Sequence, residues 1–238
     1  MAVKKLPDKL PFTGDDEADR FNAADPLALL IGFELDQQVQ LQKAFSGPLE
    51  LERRIGRLDA AKIADMEPEA LDEAFRRRPA LHRFPGNMAR RVQDLAKVIA
   101  RDYGNDASRV WTDAKDGKDL EQRLLSLPGI GEMKARTLIG ILGRRYGINP
   151  KGWEAFAPTH MSLADVDSPE SLAAYQAGKR AYKAALRDGA GEDEAAAQPS
   201  WQARASAAAM DAETAATAAG KAAKPGRART AKGSVATP

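Results

Sequence analysis

The most constraining stretch of this chain is residues 124–139, LLSLPGIGEMKARTLI. Apolar residues at helical spacing run into Leu127 and stop at Pro128, Gly129 and Gly131. They resume at Ala135, Leu138, Ile139, Leu142 and Tyr146. Proline cannot continue a helix interior, and glycine admits the backbone angles of a tight turn. The pattern therefore dictates two helices joined by a short turn, which is first a packing device.

The same stretch has a second use. Gly129 and Gly131 leave backbone N–H groups bare at the start of the second helix, where the aligned peptide dipoles favour an anion. Lys134, Arg136, Arg144 and Arg145 lie on or near that helix and add cations. Such a combination suits the backbone of a nucleic acid. Contacts of this kind position the partner and read no bases.

The rest of the chain reads as helix and loop. Residues 1–24 are rich in Pro, Asp and Lys and are expected as an N-terminal loop segment. Asp25 and Pro26 mark a helix start. Leu27, Leu30, Ile31, Leu35, Gln38 and Val39 continue it at helical spacing until FSGP (45–48) breaks it. Pro48 then opens a short helix ending at RIG. Residues 59–77 suggest one or two helices punctuated by Pro68.

A long helix follows RFPGN, with Met88, Val92, Leu95, Ile99 and Tyr103 on one face and Arg90, Arg91, Lys97 and Arg101 on the other. Residues 117–126 form another short helix, and 147–164 a loop with one turn. Residues 167–189 form a last helix capped by Asp167 or Ser168. From 190 to 238 the sequence is Ala-rich with scattered Lys and Arg, and is expected as a disordered basic tail. No strand pattern emerges, so the fold class is all-α, with the main domain over 25–189.

Composition narrows the function classes. The net charge of +2 gives no global preference for nucleic acid, so any basic surface comes from local clustering. The densest cluster is Arg76, Arg77, Arg78, Arg83, Arg90 and Arg91. The absence of cysteine excludes disulfides, thiolate zinc sites and a cysteine-ligated iron–sulfur cluster. His82 and His160 are separate and lack a metal-ligand partner in the sequence. No apolar run reaches a membrane span, and the first residues lack the apolar stretch of a signal peptide. The expectation is a cytoplasmic, nucleoid-associated protein with no membrane partner.

LPGIGEMKARTLIGIL resembles the helix–hairpin–helix motif L-P-G-[IV]-G-x-x-x-A of the base-excision DNA glycosylase superfamily that includes endonuclease III and the 3-methyladenine glycosylases. DPLALLIGFELDQQVQLQKA is similar to that superfamily's early helix, which ends in a glutamine-bearing turn near the lesion. FPGNMARRVQDLAKVIARDYG is similar to the basic amphipathic helix before the hairpin. Order and spacing agree over roughly residues 20–190.

The resemblance implies a two-lobed helical domain, monomeric, that holds double-stranded DNA in the cleft between its lobes. It implies hydrolysis of the N-glycosidic bond of a damaged base flipped out of the duplex. Leu127, Gly129, Gly131 and Lys134 then contact the DNA backbone, and Gln37 and Gln38 fill the gap left by the base. Trp153, Phe156, Phe33 and Phe45 are candidates to stack on the extruded base, with a place in the core or a lid as the plainer role of each. No cofactor is implied beyond a monovalent cation on the carbonyls of the hairpin.

Breaking a glycosidic bond builds positive charge on the sugar, which a carboxylate stabilises. In the superfamily this is an aspartate at a helix start beyond the hairpin. Two catalytic candidates match in part. Asp167 has the helix-start context after a longer loop, and Glu154 has the spacing but not the residue type. Asp165 is a third option. Members that also cut the strand carry a lysine two residues past the last hairpin glycine. Here that position is Met133, with Lys134 one further and about 100° round the helix. The resemblance then implies base release without strand cleavage. A non-catalytic helix–hairpin–helix DNA-binding protein is the alternative.

Overall fold

A computed structural model of the chain describes residues 7–191. Ten α-helices form among these residues, and no strand. They are α1 (Asp16–Ala24), α2 (Pro26–Leu35), α3 (Leu41–Ile55), α4 (Ala60–Ala64), α5 (Pro68–Arg76), α6 (Pro85–Asp102), α7 (Arg109–Thr112), α8 (Gly117–Leu125), α9 (Glu132–Ile141) and α10 (Pro169–Arg187). The region read as a basic tail lies outside the described residues from position 192 onward.

Helix α2 is the axis of the packing. Asp25 caps it by accepting from the amides of Leu27 and Ala28, and Pro26 occupies its first position. Every residue from Leu27 to Leu35 is buried, so the helix has no solvent face. It packs along α3 and against α1 and α6. Helix α6 in turn covers α4 and α5, burying Met88, Val92, Leu95 and Ile99 as their spacing predicts. Helix α9 continues without interruption into a wider π-helical turn, Leu142–Tyr146, whose Tyr146 hydroxyl donates to the carbonyl of Ala23 at 3.0 Å. The apolar residues form one continuous buried cluster running from Leu10 to Tyr175.

The structure corrects three expectations. The segment 1–24 is not simply loop: Asp15 caps α1, and Leu10 and Phe12 are fully buried. FSGP does not break a helix, because α3 runs through Pro48. Proline forfeits one helical N–H and crowds the preceding turn. Here packing outweighs that cost. Leu41, Ala44, Phe45 and Leu51 are buried, and Gly47 admits the Leu35 side chain where a Cβ would overlap it. The break falls earlier instead, at residues 36–40, where Gln38 takes a left-handed φ of 55°. Third, the loop 147–164 carries two 3-10 turns, Trp153–Phe156 and Leu163–Asp165.

Candidate functional site

Two chain reversals meet at one buried carboxylate. The first joins α8 to α9. Leu127 and Ile130 are buried and anchor it, and Gly129 has φ 73°. That angle suits glycine, and so does the space, since a Cβ at Gly129 would overlap the Glu34 carboxylate. Gly131, two residues on, is the N-cap of α9 and faces open space. It supplies no capping side chain, so the first-turn amides of α9 lack a side-chain acceptor.

The second reversal joins α2 to α3. Glu34, in the last turn of α2, has a fully buried side chain. Its Oε1 accepts from Gln37 Nε2 at 3.1 Å and lies 3.6 Å from Arg91 Nη1, while its Oε2 has no hydrogen-bond partner. Burial pushes the Glu34 carboxyl above its ordinary range, opposed by the positive charges of Lys134 and Arg91.

Gln37 is held from every side. Its amide nitrogen also donates to the Glu34 carbonyl at 2.9 Å, and its amide oxygen accepts from Arg91 at 2.9 Å. His82 pins the backbone. The Phe84 amide donates to His82 Nδ1 at 3.0 Å, which leaves Nε2 as the protonated nitrogen donating to the Gln37 carbonyl at 2.8 Å. Burial lowers the His82 pKa, consistent with that neutral tautomer. Gln38, by contrast, is exposed.

Lys134 curls back over the first reversal. Its Nζ donates to the Gly129 carbonyl at 3.1 Å. Burial lowers its pKa, and the charges of Glu34 and Asp36 oppose that shift. Met133 points outward and is 79% exposed, the most exposed large apolar side chain among the described residues.

The three carboxylate candidates stand elsewhere. Asp165 is committed to structure: it pairs with Arg144 at 2.6 Å and accepts from the Ser162 amide at 2.8 Å. Asp167 is exposed, one residue before the α10 cap Ser168, and accepts from Ser171 Oγ at 3.0 Å. Glu154 is exposed on the 3-10 turn that packs against α8. No hydrogen bond or ion pair joins Asp167 or Glu154 to the Glu34 cluster among the described residues.

Of the aromatic candidates, Phe33 and Phe45 lie in the core, edge to face at 5.2 Å, which removes them as stacking surfaces. Trp153 and Phe156 are half-buried. Among the described residues the exposed aromatic is Phe84, 43% exposed beside the Gln37 turn, with the Arg83 guanidinium 4.8 Å from its ring centroid.

Sequence reasoning thus brought out Gly129, Gly131, Lys134 and Gln37 but missed Glu34 and Phe84. A glutamate one residue from the end of an apolar run reads as a solvent edge. The signal that could have found it is the all-apolar pattern of α2, which leaves residue 34 no exposed face. Among the described residues no group of His, Asp and Glu could hold a metal ion, and no helix is long and apolar enough to cross a membrane. No family model matches the chain, and comparison with curated proteins and with solved structures finds no match to it.

Proposed function

We propose that this chain is a helix–hairpin–helix DNA glycosylase that hydrolyses the N-glycosidic bond of a damaged base flipped out of duplex DNA. One observation carries the reading. The Leu-Pro-Gly-Ile-Gly turn has its apolar residues buried, its first glycine left-handed, and its second glycine bare at an uncapped helix start. That is the arrangement a phosphate-binding hairpin needs. The exposed Phe84 beside the Gln37–Gln38 turn supports it, since an aromatic face stacks on any base.

In this reading the DNA lies between two lobes, with α8, the turn and α9 as the hairpin. Asp167 supplies the carboxylate that offsets the charge developing on the sugar. Lys134 is engaged with the Gly129 carbonyl and shapes the turn, so the base leaves without strand cleavage.

The test is incubation with duplexes that each hold one lesion, followed by hot alkali to reveal abasic sites. Wild type should yield alkali-dependent breaks with at least one lesion. Asp167→Asn should lower the rate by on the order of 10²–10³ while duplex binding persists. A second reading, DNA binding without catalysis, is favoured by the placement of Asp167 outside the Glu34 cluster. It predicts duplex binding and no abasic site with any lesion.

A further inference from the structure

A groove of about 420 Å³ lies next to the Gln37 turn, between residues 36–42 and helix α10. Its volume lies within the roughly 300–1,000 Å³ range of clefts that bind small ligands. Its walls are chemically unlike. On α10, Gln176, Lys179, Arg180 and Lys183 line it at i, i+3, i+4 and i+7, which places them along one helical stripe. Facing them is Gln40, the N-cap of α3, whose side chain makes no capping bond. Asp36 lies among the lining residues and is the single acid there against three cations.

Among the described residues none of the three cations is in an ion pair. Lys179 is half-buried, with its Nζ 5.7 Å from the Tyr175 ring centroid. Arg180 and Lys183 are exposed and make no ion pair among the described residues. An ordinary solvated basic face is convex and has no opposing wall. This one is concave, faces an amide, and is continuous through Asp36 with the turn that carries Gln37 and Gln38.

We infer that this groove seats a segment of one DNA strand, its phosphodiesters on Lys179, Arg180 and Lys183 and its sugar and base edges on Gln40 and Gln176. The inference rests on the proposed DNA-binding function and extends it to α10. The unequal charge of the groove gives the strand a polarity. Phosphates lie along the cationic stripe, and Asp36 repels phosphate from its own part of the groove, so the neutral sugar and base edges face it.

The experiment is a titration of a short labelled duplex with the full-length protein over a series of salt concentrations. Each seated phosphate contributes about 0.9 to the slope of log K against log salt. The triple variant Lys179→Ser, Arg180→Ser, Lys183→Ser should therefore lower that slope by about 2 to 3 and weaken binding at least about ten-fold. The variant Gln40→Ala, Gln176→Ala should weaken binding with no change of slope. Arg187→Ser, on the same helix but outside the groove, should change the slope by less than about 1. Thermal melts check that each variant is folded.

A triple variant with the wild-type slope overturns the inference. So does a Gln40/Gln176 variant of wild-type affinity, which would reduce α10 to a solvated basic face. Inorganic phosphate should compete no better than chloride at equal ionic strength; strong competition by phosphate that persists in Gly131→Asp and disappears in the triple variant would make the groove a free-anion site and overturn the strand assignment. Gly131→Asp run alongside separates the two readings. Wild-type affinity in Gly131→Asp with a lowered slope in the triple variant removes the hairpin reading and keeps the groove.

Discussion

The two reversals that meet at Glu34 solve the same problem by opposite means. At residues 126–131 the left-handed position is a glycine, Gly129 with φ 73°. At residues 36–40 it is Gln38 with φ 55°. A side chain in that region costs on the order of 1–3 kcal/mol and persists only where the surroundings dictate it. The surroundings here are explicit, since Gln37 is bonded through its side chain to Glu34 and Arg91 and through its carbonyl to His82. The glycine turn is shaped by its own sequence, whereas the glutamine turn is shaped by its neighbours. The second kind of turn keeps an exposed side chain at a fixed place, which a glycine cannot do.

The comparison breaks most visibly at Gly129. Alanine there meets both the left-handed penalty, about 1–2 kcal/mol, and the Glu34 carboxylate. Gly129→Ala should cost at least about 2 kcal/mol and lower the melting temperature by roughly 5 °C or more. In a Glu34→Ala background the loss should shrink toward the left-handed penalty alone. An undiminished loss in that double-mutant cycle would show that the two reversals do not press on each other.

Glu34→Gln gives an intermediate effect, read through pH. The folded-state pKa of Glu34 is raised, so the folded chain binds more protons than the unfolded chain above the ordinary carboxyl value. Its contribution to stability grows as pH falls from neutral into that window and shrinks as pH rises. The melting temperature of wild type relative to Glu34→Gln should therefore increase as the pH is lowered from 7 toward 4.5. A pH-independent difference would mean that burial does not perturb this group.

Gln38→Gly should be the smallest change in stability. Relief of the left-handed penalty and the greater freedom of the unfolded chain nearly offset, leaving a shift within about 1 kcal/mol. If the exposed Gln38 side chain meets DNA, duplex affinity should fall while the melt stays put. A fall in both would place Gln38 in the structural network instead.

The same contrast explains how much could be read from sequence. The helices α6, α8, α9 and α10 were legible because each carries an apolar stripe at helical period with a proline, glycine or cap at its end. The glycine turn was legible because the residue type states the backbone angle. The glutamine turn was not, since the backbone around Gln38 is fixed by bonds from the neighbouring Gln37 to His82 and Arg91, which no local window contains. Glu34 was hidden for a related reason: its burial depends on Gly129, far along the chain. Helix α1 was masked by the acidic and proline-rich composition around Asp15, and the course of α3 by Pro48. The carboxylate candidates came from the family resemblance, Asp167 by its helix-start context and Glu154 by its spacing, and which groups each one bonds was beyond any sequence pattern.

The central claim is that the bare amides at Gly131 face a DNA phosphate, and Gly131→Asp tests it most directly. Position 131 has extended backbone angles and open space, so aspartate fits and can cap α9, leaving the melting temperature equal or higher. Its carboxylate would occupy the amides a phosphate needs and would repel the strand. The account predicts a normally folded protein whose duplex affinity falls at least about ten-fold. A folded Gly131→Asp protein that binds duplex DNA as wild type does would contradict it.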